Sequence, residues 1–195
     1  DAGMEGDCPF SVFARGNKKL PFVAFSSLPF VDCPGMGPCG AWCYSRKAWR
    51  YPAAFCRQVQ NSLLVRYRFT TIERAWQALP KDITDLRLYV DGDFPSLEIL
   101  RAWMELIKTK PEISVYGYSK SWKEFLSLDA TGFEWPQNYR LNLSSGSRHE
   151  KTGLANAIQS IVPVRGQFVA IPVEHRHIKS KAYQDKANPG SKEYR

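Results

Sequence analysis

Cys33, Cys39 and Cys43 fall within eleven residues, in the run DCPGMGPCGAWCY (32–44), with C-x5-C-x3-C spacing. Every position between Cys33 and Cys39 except Met36 is glycine or proline. Such a loop has few side chains of its own to bury, and its glycines let the backbone fold back so that sulfurs can share one side of a turn. Converging thiols serve as ligands to a metal or iron–sulfur cluster, as a redox pair, or as a disulfide, and spacing alone leaves all three open. The next residues, YSRKAWRYP (44–52), are rich in cations and aromatics. Positive and aromatic groups beside the thiols point to a site more than to a structural staple. Cys8 and Cys56 are expected outside that site, with Cys56 packed as a small buried hydrophobe.

The remaining chemistry-bearing residues cluster after short apolar runs. Asp91 and Asp93 follow one of them in DGD; Ser119 and Lys120 follow a second in YSKS; Ser144, Ser145, Gly146 and His149 follow a third in SSGSRH. A fourth run leads into Glu174-His175-Arg176-His177. The two aspartates could bind a cation or ribose hydroxyls, or could cap the helix that follows. Lys120 could be catalytic or an ordinary surface lysine. The serines and glycine at 144–147 resemble an anion-cradling turn. A lone H-x-H beside Glu174 is an unspecific metal signal. No P-loop, H-E-x-x-H or G-x-S-x-G occurs, so the nucleotide, zincin and hydrolase patterns are without support.

Strand-like runs position these residues. Leu86–Val90, Ile113–Tyr118, Tyr139–Leu143 and Phe168–Val173 begin 27, 26 and 29 residues apart, and Phe22–Phe25 reads as an earlier strand leading into the cysteine loop. Helical patterns lie between them. Leu97, Leu100, Met104 and Ile107 define one helix ending before Pro111; Trp122, Phe125, Leu126 and Leu128 a shorter one; Leu154, Ala157, Ile158 and Ile161 a third. Pro52 suits a first helical turn, and Phe55, Val59 and Leu63 follow at i, i+4, i+8. A second helix is expected to start at Thr70, with Glu73 completing a capping box and Pro80 ending the run. Repeated βα units of this length require a parallel sheet with right-handed crossovers. Five units are too few for a closed eight-stranded barrel. The α/β fold expected is therefore an open or partial (βα) barrel, with a doubly wound sheet as the alternative. In either, ligands bind beyond the carboxyl ends of the strands, so the polar segments and the cysteine loop should share one face.

The 195 residues fit one domain, 1–175, with a basic, partly disordered tail at 176–195. That tail holds half of the net charge of +8 on a stretch poor in apolar residues. A positive balance favours a polyanionic partner. Asp1-Ala2-Gly3 ahead of Met4 reads as a cloning remnant. With an odd cysteine count and no apolar run of membrane-spanning or signal-peptide character, the expected compartment is the reducing cytoplasm, with no membrane partner.

The segments KLPFVAFSSLP (19–29), CPGMGPCGAWCYSRKAWRYPAAFCRQVQN (33–61), LYVDGDFPS (88–96), YGYSKSW (116–122) and RLNLSSGSRHE (140–150) together resemble the "gene product 88" family carried by phages and plasmids. They keep their order across most of the chain. The family's cysteine loop on a βα scaffold is similar to the cluster loop of radical S-adenosylmethionine proteins. The resemblance thus implies a [4Fe–4S] cluster on Cys33, Cys39 and Cys43 at the mouth of a partial barrel. The spacing departs from the radical pattern C-x3-C-x2-C, so fold and cluster are better supported than radical chemistry. The further C-terminal cysteines of the family have no counterpart up to Arg195, which leaves either a shortened chain or a fourth ligand from elsewhere.

Three functions compete. In the first, a mobile-element protein holds an iron–sulfur cluster with one open iron for a small ligand such as S-adenosylmethionine, contacted by Asp91, Asp93 and Lys120, with Ser119, Ser144, Ser145 and Gly146 binding the cofactor. In the second, a basic nucleic-acid-binding protein or nuclease acts on competing DNA or conjugative transfer. Asp91, Asp93 and His149 would then hold a divalent ion such as Mg, while Arg46, Lys47, Arg50 and the tail contact phosphates. In the third, zinc stabilises an interaction protein without catalysis.

Overall fold

The computed structural model describes residues 9–16 and 22–170. Five strands form one all-parallel, open sheet: β1 Val23–Ala24, β2 Asp85–Leu88, β3 Ser114–Ser119, β4 Tyr139–Ser144 and β5 Val164–Phe168. Their spatial order is β1-β2-β3-β4-β5. A doubly wound sheet reverses its strand order at a switch point, and no reversal occurs here. Right-handed crossovers in a monotonic order put the connecting helices on one face, as in a segment of a barrel.

Five α-helices connect the strands: α1 Pro52–Tyr67, α2 Phe69–Gln77, α3 Leu97–Lys108, α4 Trp122–Asp129 and the short α5 Leu154–Ala157, which runs on as a 3-10 turn over Ile158–Ser160. Leu86, Leu88, Val115, Leu141 and Leu143 alternate onto the buried face of the sheet, as period-2 geometry requires. Against them α3 lays Leu100, Trp103, Met104 and Ile107, and α4 lays Trp122, Phe125 and Leu128. Trp103 centres the core: its indole donates to the Tyr89 hydroxyl at 3.0 Å, and its ring meets Phe25 edge-on at 4.8 Å between centroids. The opposite face carries half-buried residues, including Arg87, whose guanidinium lies 4.8 Å from the Tyr118 ring centroid.

Several expectations are corrected. Strand β5 lies at 164–168 and so ends where the expected run begins, because its Val164 pairs with Leu141 and Phe168 already reaches Ser144 at the end of β4; 171–173 lie outside the described residues. Glu174 to His177, the tail and Cys8 lie outside the described residues. Thr70 does not cap α2: that helix begins at Phe69, and its N-cap position, Arg68, makes no side-chain cap bond. The α3 cap is Ser96, which accepts from the Ile99 amide, so neither Asp91 nor Asp93 serves that end.

The largest departure is α1. Phe55, Leu63 and Tyr67 face solvent, while Gln58, Asn61 and Ser62 are buried beside Leu64 and Val65. Gln58 turns inward to bond Trp49 and Asp91, and Asn61 because backbone needs it there. Asn61 Nδ2 donates to the carbonyls of Val12 and Ser26, both at 2.9 Å, groups that would otherwise be buried without partners. Cys56 is correspondingly exposed rather than packed in the core.

Candidate functional site

The cysteine loop lies against the loops that leave β3 and β4. It opens as an irregular segment, forms a 3-10 turn over Pro38–Ala41, and continues as a longer 3-10 stretch over Tyr44–Arg50 before Pro52 starts α1. The amides of Gly37 and Cys39 donate to the Gly146 carbonyl at 3.2 and 3.3 Å. The Arg148 amide donates to the Gly35 carbonyl at 3.0 Å, and Arg148 Nε to the Met36 carbonyl at 3.0 Å. Met36 and Ser147 thereby form an antiparallel bridge.

Glycine is required at close approaches on both sides of this contact. A Cβ on Gly35 would sit 1.7 Å from the Lys120 carbonyl oxygen, and one on Gly146 would sit 2.6 Å from Cys39 Cβ. Gly146 also has φ +81°, in the left-handed region that side chains avoid. The glycines that the sequence offers as loop flexibility act here as contact points between three loops.

Asp93 is the buried hinge of the group. Its Oδ1 accepts from Ser119 Oγ at 2.7 Å and from the Phe94 amide at 2.9 Å; its Oδ2 accepts from the Lys120 amide at 2.7 Å. Burial pushes its carboxyl up, and these hydrogen bonds, with the Lys120 charge, oppose the rise. Lys120 Nζ reaches across to donate to Ser144 Oγ at 2.7 Å, and Ser147 Oγ donates to the Lys120 carbonyl. Cys33 belongs to the same neighbourhood. Burial first, then the Asp93 charge, pushes its thiol up; Lys120 pulls the other way and Cys43 adds to the rise. Cys33 and Cys43 are half-buried and Cys39 is buried, all three as free thiols.

Asp93, Lys120, Ser119, Ser144 and Cys33 thus come together as the strand ends demand. Asp91 does not join them. Gln58 Nε2 donates to its Oδ2 at 3.0 Å, and burial raises its carboxyl against the opposing bonds from Ser45, Ser26 and Gln58. Its partners therefore lie on α1, on the 3-10 stretch and just after β1. Ser145 Oγ accepts from the Ala170 amide at 2.7 Å. His149 is only slightly shielded, and its imidazole is pushed down by that burial and by Arg148 and Lys123. The anion-cradle reading of 144–147 meets a physical obstacle. The Ser145 amide donates to Phe168, the Gly146 amide to Glu150 and the Arg148 amide to Gly35, so these donors are already taken.

Among the described residues no three His, Cys, Asp or Glu side chains converge as a ready-made metal ligand set. Arg46, Lys47 and Arg50 are exposed on the 3-10 stretch Tyr44–Arg50. Gln58, Arg148 and Glu150 were not legible as site residues. Only the position of Gln58 on α1 and the closeness of the other two to Gly146 in sequence could have pointed to them.

Fold and site together define an open, singly wound parallel α/β protein with a thiol-bearing loop seated on the carboxyl ends of its strands. The chain belongs to the gene product 88 family, whose profile matches residues 12–193. No curated protein and no solved structure matches it. No described helix is long and apolar enough to cross a membrane.

Proposed function

We propose that this is a mobile-element protein of phage or plasmid type whose loop thiols, Cys33, Cys39 and Cys43, bind a soft metal centre, with a [4Fe–4S] cluster as the leading form. The observation that carries the reading is the seat of the loop: its backbone is bonded to the loop after β4 and Gly35 packs against the Lys120 carbonyl after β3, at the end of the sheet where parallel α/β proteins bind ligands. The donor chemistry fits, because thiolates suit iron–sulfur clusters and zinc. Burial and the neighbouring Asp93 disfavour a bare thiolate at Cys33, and a bound cation reverses that preference. The thiols are not a preformed ligand set, so binding would be coupled to a local adjustment of the loop. A cluster with one open iron would supply a coordination point for a small ligand such as S-adenosylmethionine. Lys120 and Ser144 are the polar groups that such a ligand would meet at the mouth. Free thiols suit a reducing compartment, and the cytoplasm is proposed on that ground.

Anaerobic purification of the full chain, reconstitution with iron and sulfide, and absorption and paramagnetic resonance spectra test this. Cluster bands in the wild type, lost in Cys33→Ser, Cys39→Ser and Cys43→Ser but kept in Cys56→Ser, support the cluster. Stoichiometric zinc with the same dependence supports a thiolate metal site without radical chemistry. Metal retained by the triple serine variant, or neither iron nor zinc bound by the wild type, overturns the proposal.

A second reading, nucleic-acid binding, is favoured by Arg46, Lys47 and Arg50. All three are exposed, and among the described residues none is in an ion pair. Cations held without carboxylate partners are available to phosphates. Salt-dependent binding of DNA or RNA by the full chain is the expected result, and its absence removes the reading.

A further inference from the structure

The surface that begins at the cysteine loop and runs along α1 has an unusual composition. Between Asp32 and Glu73 the chain carries no acidic residue and six cations: Arg46, Lys47, Arg50, Arg57, Arg66 and Arg68. Within the same span lies every exposed large aromatic among the described residues, namely Trp42, Tyr44, Trp49, Tyr51, Phe55 and Tyr67. The other exposed large hydrophobics of the described chain are aliphatic.

Trp49 and Phe55 are linked by ring contacts that start at Arg46 and Phe30. Arg46 lies 5.6 Å from the Phe30 ring centroid; Phe30 meets Trp49 at 5.8 Å, and Trp49 meets Phe55 at 5.9 Å. Trp49 is anchored from below, because its indole donates to Gln58, which in turn donates to Asp91. Tyr44 is anchored by its hydroxyl, which donates to the Val90 carbonyl at 2.7 Å. Their positions are thus held while ring surface stays open. Further along α1, past the half-buried Val59, Leu63 and Tyr67 are exposed on the same i, i+4 row, Tyr67 at 77%. Tyr51, at 69%, stands between the 3-10 stretch and α1.

Exposed aromatics alone would fit a protein partner, and exposed cations alone would fit a duplex. Their interleaving fits a polyanion whose flat rings are unstacked and available. We infer that this strip binds single-stranded nucleic acid, with Arg46, Lys47 and Arg50 on phosphates and Trp49, Tyr51 and Tyr67 as stacking platforms for bases. The inference rests on the nucleic-acid reading above and specifies it. It is independent of whether the thiols hold a metal.

The test is fluorescence anisotropy of the full chain with a labelled oligothymidylate of about twelve nucleotides, a length within the range of known single-strand sites, and with a duplex of equal length. The single strand is expected to bind more tightly. Three phosphate contacts at roughly 0.7 units of slope each would weaken binding about twentyfold between about 50 and about 200 mM salt. Tyr51→Ala and Tyr67→Ala should each weaken single-strand binding about tenfold at constant salt, with an unchanged thermal melt, since both rings are mostly exposed. Arg46→Gln with Arg50→Gln should lower the salt slope by about 1.4 units. Duplex bound as tightly as single strand, with the tyrosine variants unaffected, overturns the inference and leaves general nucleic-acid binding standing. No binding to either overturns both. Displacement of the single strand by an acidic amphipathic peptide that itself depends on Tyr51 and Tyr67, with weaker nucleic-acid than peptide binding, assigns the strip to a protein partner and overturns the inference.

Discussion

The Asp93 carboxylate accepts the backbone amide of Lys120 at 2.7 Å, tying the loop after β2 to the loop after β3 beneath the cysteine loop. With its bonds from Ser119 and Phe94 this makes Asp93 the buried acceptor that organises the carboxyl mouth of the sheet. Asp93→Ala strands the Ser119 hydroxyl and the Lys120 amide, and is expected to cost roughly 2–5 kcal/mol, as removal of a buried charge-assisted acceptor does. Urea denaturation of the variant against wild type measures it.

The pH dependence of Asp93 has a definite sign. Its folded carboxyl is raised above the ordinary value near 3.8, so between the two values the folded state holds the proton more than the unfolded state does. Its contribution to stability is fully present below about 3.8 and is lost as pH rises through the raised folded value. Asp91 is raised for the same first reason, burial, and acts in the same direction. Asp93→Asn should flatten this part of the stability–pH curve. It should also lower stability at neutral pH if its amide nitrogen faces the Lys120 amide as donor against donor. Urea midpoints taken every half unit above about pH 4 read the slope.

Gly35 meets backbone at its closest contact. Gly35→Ala must move the cysteine loop away from the Lys120 carbonyl, and an overpacking cost of about 1–3 kcal/mol is expected. Gly153 supplies the control. A Cβ there meets nothing within 4 Å, so Gly153→Ala should be neutral or stabilise by about 0.4–1 kcal/mol. Paired thermal melts check the contrast, and in Gly35→Ala any metal held by the thiols should weaken as well.

Helix α1 reverses the usual ranking of polar and apolar substitutions. Asn61→Ala leaves the carbonyls of Val12 and Ser26 without their donor and should cost roughly 2–4 kcal/mol. Leu63→Ala, at 53% exposure, should cost less than about 1 kcal/mol. A larger loss in Leu63→Ala than in Asn61→Ala would contradict the orientation of the helix.

Thiol reactivity should follow burial. In metal-free protein Cys56, exposed on α1, should be alkylated by iodoacetamide first. Cys33 should lag, because burial and the Asp93 charge keep it protonated, and buried Cys39 should lag by access. Peptide mass spectrometry over a time course gives the order, and Cys33 or Cys39 reacting before Cys56 would contradict it.

The local part of this protein was legible in its sequence. The spacing of the β2, β3 and β4 runs, the helical periods of α3 and α4, and Pro52 at the first turn of α1 each report near-neighbour geometry, which side-chain pattern encodes directly. The parallel sense of the strands followed from the length of the crossovers, and that sense is why Asp93, Lys120, Ser144 and the cysteine loop meet. Tertiary structure decided the rest. The choice of an open, singly wound sheet over a doubly wound one depends on strand order, which βα periodicity does not carry. The register of β5 depends on where β4 offers partners. The facing of α1 depends on distant carbonyls of Val12 and Ser26 that only the folded chain brings near Asn61, so Phe55 and Leu63 were left outside and Val59 only half-buried. Asp91 and Asp93 differ for the same reason. They are two residues apart in the chain, yet one answers to Gln58 on α1 and the other to Ser119 and Lys120 after β3. The partners available to each carboxylate are set by packing, not by the sequence around it.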